Sequence, residues 1–236
     1  LTVMAWAKAD APDGVVVVPH TNYVLEREHE GSVDQLMHPL SEFETIDPLM
    51  IDPDAVSRRD LPRFVNTDSA LGLEALIGQN YISLASAYAA DRSLTDVARA
   101  VVADPGVDNV FVCLTGTDVI SQRFWHYMET EAIERVEVGE DERRYLEQQV
   151  EALGGTVESY YEFVDGLVGG LLEMADDQTT VAVVTGYGYE GISLDAAGLP
   201  RVGVHMHSEQ GTWIMAGPKG SAGAVVFGGS ILDVAP

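Results

Sequence analysis

Thr180-Val-Ala-Val-Val-Thr-Gly-Tyr-Gly-Tyr-Glu-Gly191 is a short apolar run that ends abruptly in a glycine-rich turn. A continuous apolar run of this length reads as a buried parallel strand, because both of its faces must be covered. The turn then marks the C-terminal edge of a sheet, where open α/β folds place ligands. A second apolar run, Val110-Phe-Val-Cys-Leu114, ends in the similar turn Thr115-Gly-Thr-Asp118. Two strands that deliver loops to one edge direct the search for function there.

Helical periods surround these strands. Val157, Tyr160, Tyr161, Val164, Leu167, Val168, Leu171 and Leu172 keep an unbroken helical spacing, a stripe of core packing and not a cofactor face. That helix leads into strand 181–185, and helix–strand alternation favours a parallel sheet. Glu140 to Leu153 reads as a charged surface helix closed by Gly154-Gly155. Upstream, Asn66-Thr-Asp-Ser offers capping residues ahead of Leu71, Leu73, Ala75, Leu76 and Tyr81. A further helix follows from Asp91, with Leu94, Val97, Ala98, Val101 and Val102 in phase, and Asp104-Pro-Gly stops it. Strand Asn109 to Leu114 should hand over to a helix starting near Ser121.

Gly14-Val-Val-Val-Val-Pro19 reads as a strand halted by proline. Residues 186–211 read as a loop, Thr212 to Ala216 as a strand closed by Gly217-Pro218, and Val225-Val-Phe227 as one more short strand. Residues 21–68, with prolines at 39, 48, 53 and 62, read as irregular surface structure that could serve as a cap or lid. The expected fold is α/β: a mostly parallel central sheet with helices on both faces, three layers in all, in a single domain over 1–236.

At 236 residues the chain can bury one sizeable α/β core. No apolar run reaches membrane-spanning length, so a membrane is not an expected partner. The formal net charge is −25, and the absence of a basic patch argues against nucleic acid. Lysine occurs only at Lys8 and Lys219, while Asp and Glu are spread along the whole chain. Scattered acidity of this kind speaks to solubility, in a high-salt environment above all, and not to a binding site. The single cysteine, Cys113, rules out an intramolecular disulfide and, inside an apolar strand, reads as an inert core residue. Nothing at the N-terminus reads as a signal peptide, and both ends read as cuts within a longer protein. A soluble, cytoplasmic protein is the expectation.

A few loop positions carry possible chemistry. Asp118, where a strand ends, either presents a carboxylate to the sheet edge or caps the helix expected from Ser121. His205-Met-His207 places two imidazoles on one face of an extended segment, a zinc-compatible spacing that lacks a third ligand. Tyr187 and Tyr189 can stack on a ligand, hydrogen-bond it, or pack at the rim. Gly186-Tyr-Gly-Tyr-Glu-Gly191 matches the dinucleotide fingerprint letter for letter, but a loop follows it where a helix is needed. A nucleophile elbow and a phosphate-cradling P-loop are both absent from the sequence.

Taken in order, these motifs resemble the alkaline phosphatase superfamily, in its type I phosphodiesterase/nucleotide pyrophosphatase branch. Thr115-Gly-Thr-Asp-Val-Ile-Ser-Gln-Arg-Phe-Trp-His-Tyr-Met-Glu129 is similar to the family segment in which an Asp is followed four residues later by a metal-binding His. Val183-Val-Thr-Gly-Tyr-Gly188 is similar to its strand followed by Ser-Asp-His-Gly, and His207-Ser-Glu-Gln-Gly-Thr-Trp-Ile-Met-Ala-Gly-Pro218 to its closing motif. Asp91-Arg-Ser-Leu and Ser230-Ile-Leu-Asp-Val-Ala-Pro236 also resemble the family; the likeness covers residues 80–236, and more loosely Leu1 to Pro19.

The resemblance implies two divalent metals, held by Asp and His, that activate a Thr or Ser nucleophile. Asp118 and His207 match first-metal ligands. The expected His after Asp118 is Gln122, and the second-metal Asp-His pair is replaced by Gly186 and Tyr187. The nucleophile would lie before Leu1. Glycine supplies no ligand, an un-ionised tyrosine is a poor one, and a glutamine oxygen is weaker than imidazole for zinc. The implied function is a phosphohydrolase-like domain with a degenerate metal site, binding a ligand or a protein partner. An active phosphodiesterase is the alternative: Asp118 and His207, with His205 or His126, would hold one zinc or manganese and act on a small phosphorylated molecule. A scaffold with an acidic surface is the third reading.

Overall fold

An alanine-rich stretch without glycine or proline, Gln79-Asn-Tyr-Ile-Ser-Leu-Ala-Ser-Ala-Tyr-Ala-Ala-Asp-Arg, makes one long helix where two were expected. The computed structural model describes residues 4–8, 43–103, 107–128, 138–191, 205–208, 210–218, 220 and 223–225. In chain order these form β1 (Met4–Lys8), a single helical turn α1 (Phe43–Ile46), short 3-10 turns between Asp47 and Ala75, and α2 (Gln79–Val102). Then come β2 (Val107–Val112), α3 (Gly116–Met128), α4 (Glu140–Leu153) and α5 (Thr156–Leu172). The last strands are β3 (Val181–Thr185), β4 (Gly188–Gly191), β5 (His205–Ser208) and β6 (Thr212–Ala216).

Both apolar clusters are built on α2. Leu84, Ala85 and Ala87 join Ile120 and Phe124 of α3, Ala152 and Leu153 of α4, and Tyr160 and Phe163 of α5. Further along the helix, Leu94, Val97, Ala98 and Val101 cover Ile46 and Met50. The 43–68 stretch is therefore not only surface. Its prolines 48, 53 and 62 sit in the first positions of 3-10 turns, where a missing N–H costs no bond. The turns bury Val56, Leu61, Phe64 and Val65 against the helices, a packing with no periodic signature to read. Asn66-Thr-Asp-Ser caps no α-helix, since 3-10 turns run on to Ala75 and α2 starts only after Gly78.

α4 and α5 keep the expected bounds closely. Phe64 meets Tyr160 and Phe163 in tilted and edge-to-face contacts at 5.5 and 5.6 Å. The α5 stripe is broader than the face it buries: Val157, Tyr160 and Leu167 are covered, while Tyr161 and Leu172 are exposed.

The chain is a mixed helix–sheet protein, but the expected parallel sheet is not found among the described residues. β1 pairs antiparallel with β2 (Met4↔Val112 to Lys8↔Val107) and β3 with β6 (Val181↔Ala216 to Thr185↔Thr212). The segment 186–211, expected to be all loop, contributes β4 and β5, paired from Gly188↔Ser208 to Gly191↔His205. Nesting this pair between β3 and β6 turns the chain back, which favours antiparallel pairing of the outer strands. An apolar run shows that a strand can be buried, but not which strand lies beside it. Here Val183, Val184, Ile214 and Met215 are exposed.

One strand was not foreseen, and two further expectations change. Met4-Ala-Trp-Ala-Lys8, with no β-branched residue and Trp6 alone as a strand-favouring side chain, is a strand that no expectation covered. β2 ends at Val112, so Cys113 lies beyond it and is exposed, not in the core. Val225 is exposed outside any strand, and residues 226–227 and 14–19 lie outside the described residues, as do 21–42. Among the described residues no helix is long and apolar enough to cross a membrane.

Leu84→Ala, at a side chain with 0% exposure, should cost about 2–5 kcal/mol in urea denaturation. Ile214→Thr, at a side chain 65% exposed, should cost under about 1 kcal/mol in the same measurement.

Candidate functional site

The expected sheet-edge loop after β2 is instead the start of a helix. α3 begins at Gly116, five residues before the expected start, so Asp118 lies in its first turn. There the carboxylate benefits from the positive end of the helix dipole. The amides of Asp118 and Val119 both donate to the Thr115 carbonyl, at 3.1 and 3.2 Å.

What holds this turn is Asp91, from the middle of α2. Its Oδ1 accepts the Thr115 and Gly116 amides at 3.2 Å each, and its Oδ2 accepts Gly116 N–H at 3.1 Å and the Tyr160 hydroxyl at 3.0 Å. The carboxylate thus satisfies helix-start donors that have no partner within their own helix. A Cβ at Gly116 would collide with both Tyr160 and Asp91, so only glycine fits. Burial pushes the Asp91 carboxyl up to about 6, against the opposing pull of those hydrogen bonds. The same burial, with the Asp91 charge beside it, raises the Tyr160 phenol.

Three other tyrosines surround Asp118. Tyr189 hydrogen-bonds the Thr117 side chain; burial first, then the Asp118 charge and the other two phenols, pushes it up to about 12. Tyr187 is raised by burial, then by Asp118 and by Cys113 nearby. Tyr161, from α5, is raised by burial and Asp118, partly offset by Ser121. Ser121 Oγ is itself fully buried and makes no hydrogen bond of good geometry, so its contact with Tyr161 is close but poorly aligned. All three phenols stay protonated at neutral pH.

Position 207 lies directly across from Tyr189, and position 205 across from Gly191. α3 packs against both β4 and β5. The backbone thereby brings the Asp118, Tyr187 and His207 positions to one locus; the imidazoles of His205 and His207 lie outside the described residues. Gln122 is exposed one turn along α3 from Asp118, and Gly186 is exposed just past β3. His126 lies two turns from Asp118. Burial, then the Arg123 charge, lowers it to about 4, leaving a neutral imidazole against the Tyr127 ring. Among the described residues no group of three or more His, Cys, Asp or Glu side chains could hold a metal ion.

Asp91, Tyr160, Thr117 and Ser121 were not picked out as site residues from sequence. For Asp91 a signal existed: it lies in phase with Ala87, Leu94 and Ala98 on the buried face of α2, a carboxylate where the period calls for an apolar residue. Compared with protein-family models, with curated proteins and with solved structures, the chain matches none of them.

Asp91 yields a pH prediction. The folded state holds its proton more tightly than the unfolded chain does, so its contribution is greatest below its ordinary value of 3.8 and falls as pH rises towards about 6. Between those limits wild type should lose on the order of 2–3 kcal/mol relative to Asp91→Asn, read as the difference between urea melts at each pH. At Cys113, one thiol per chain should react with a chromogenic disulfide reagent in native protein, without denaturant.

Proposed function

We propose that this chain is an alkaline-phosphatase-like domain, of the type I phosphodiesterase/nucleotide pyrophosphatase kind. Its metal site is degenerate, and it binds a ligand or partner where its relatives would hydrolyse phosphate esters. The observation that carries this reading is the surroundings of Asp118. Two-metal hydrolysis needs a shell of ionised carboxylates and imidazoles. Among the described residues, the side chains that feel the Asp118 charge include three phenols that remain protonated at neutral pH, and a neutral phenol is a poor metal ligand. Tyr187, at the position where the resemblance asks for a metal-binding His, is one of them.

The reading carries a fuller sheet with it: a mostly parallel central sheet with helices on both faces, in three layers, to which β2 and β3 would belong. The uncovered Val183, Val184, Ile214 and Phe111 side chains are what strands short of neighbours would present, and they favour it.

Metal content and hydrolysis test the proposal together. Purified chain should carry well under one zinc or manganese per molecule after exposure to either ion. Hydrolysis of an aryl phosphodiester should equal the buffer blank, with no change in Asp118→Ala. Stoichiometric metal that is lost in His207→Ala, or hydrolysis that disappears in Asp118→Ala, would overturn it.

A further inference from the structure

Arg58, Arg92, Arg99 and Arg144 each form an ion pair with a carboxylate, and Arg63 lies over the Phe64 and Phe163 rings. With 38 acidic side chains against 13 basic ones, ion pairing is what the composition favours. Arg123, on α3, has no carboxylate partner among the described residues and is held by a neutral group. Its Nε–H donates to Asn80 Oδ1 at 2.7 Å, and Asn80 Nδ2 donates in turn to the Tyr127 hydroxyl at 3.1 Å. Asn80 and Tyr127 are 3% and 6% exposed, while Arg123 is partly exposed. These bonds run in one direction. The guanidinium polarises the Asn80 amide, and the amide polarises the Tyr127 O–H, because linked hydrogen bonds strengthen one another. Burial raises the Tyr127 phenol, so it keeps its proton, and that proton has no acceptor among the described residues. A buried donor left over in this way calls for a partner.

The guanidinium is only partly used as well. With Nε committed to Asn80, its terminal Nη1 and Nη2 groups are left, and parallel N–H bonds from such a pair match the two oxygens of a carboxylate. Guanidinium and phenol each sit one hydrogen bond from the same carboxamide, close enough for one small oxyanion to meet both. The charge on that oxyanion follows from the neighbours. Arg123 supplies one positive charge, and Asn80 and Tyr127 supply none. The His126 ring centroid lies 3.9 Å from that of Tyr127, and burial, then the Arg123 charge, lowers the imidazole to about 4, so it adds no charge at neutral pH. The net charge of −25 repels every further negative charge on a ligand. One guanidinium among neutral donors therefore favours a singly charged carboxylate over the more highly charged phosphate. We propose that Arg123 and Tyr127, bridged by Asn80 between α2 and α3, bind the carboxylate of a small organic acid. The site is separate from Asp118, which lies five residues earlier on α3 and so roughly 140° round the helix. It does not rest on the reading of Asp118 as part of a degenerate metal site.

The test titrates carboxyl-labelled acetate against the full chain at neutral pH, in about 0.15 M NaCl to screen the acidic surface, and reads exchange broadening by NMR. Acetamide serves as the neutral isostere and inorganic phosphate as the more highly charged oxyanion. Saturable binding of acetate is expected, with acetamide roughly tenfold weaker or worse, because it lacks the charge that strengthens bonds to a guanidinium. Arg123→Gln should lose roughly tenfold in acetate affinity. Arg123→Lys keeps the charge but not the paired N–H groups and should lose several-fold, as should Tyr127→Phe. Arg144→Gln removes an arginine already paired with Asp141 and should leave the affinity unchanged. The Arg123 variants, at a partly exposed side chain, carry the reading if Tyr127→Phe, at a buried one, fails to fold. Acetamide binding as tightly as acetate, phosphate binding more tightly than acetate, or no saturation would overturn the proposal. So would unchanged affinity in Arg123→Gln, or equal losses in Arg123→Gln and Arg144→Gln.

Discussion

The Asp91 carboxylate joins three helices at one point: α2 supplies it, α5 binds it through Tyr160, and α3 begins on it. A carboxylate in an apolar interior is costly unless hydrogen-bonded. Here two backbone amides and a phenol supply those bonds, and they offset desolvation only in part, since the group still titrates near 6. That residual cost sits under the first turn of α3. It determines that residue 116 is glycine, it fixes where the helix starts, and so it places Thr117 and Asp118 against the β4–β5 pair. The candidate site therefore inherits its geometry from a residue that faces away from any ligand.

Much of the helical part was legible in the sequence and much of the sheet was not, for a physical reason. α4 and α5 declare themselves through an uninterrupted local period, and β3 and β6 through short apolar runs closed by glycine. Periodicity reports which residues want burial, but pairing is decided between segments far apart in the chain. Hence β3 was found with its bounds, while the neighbour it has among the described residues, the antiparallel β6, was not foreseen. β1 and β4 hold one strand-favouring residue each, Trp6 and Tyr189, and β5 none, too few to mark a strand before its partner is known. The 3-10 turns from Asp47 to Ala75 bury large side chains without any repeat to betray them.

The site shows the same division. Asp118, Tyr187 and the 207 position could be named from motif order, and the backbone brings them to one locus. The groups that define its character, Tyr161 above all, arrive from elsewhere in the chain and have no motif. Among the described residues Asp118, in the first turn of α3, is the carboxylate whose charge raises all three phenols.

The β3–β6 ribbon has a consequence for how the chain behaves in bulk. Among the described residues neither strand has a second partner, and Trp213, Ile214 and Met215 face water. Open edges flanked by apolar side chains are a template for strand-to-strand pairing between molecules. What opposes it is the charge of −25, whose reach is set by the Debye length: roughly 10 Å at 0.1 M salt and roughly 3 Å at 1 M. Two paired strands span roughly that longer distance, so dilute buffer keeps ribbons apart while concentrated salt strips the repulsion from their edges. The acidity scattered along the sequence acts, on this fold, as a colloidal stabiliser whose strength is set by ionic strength.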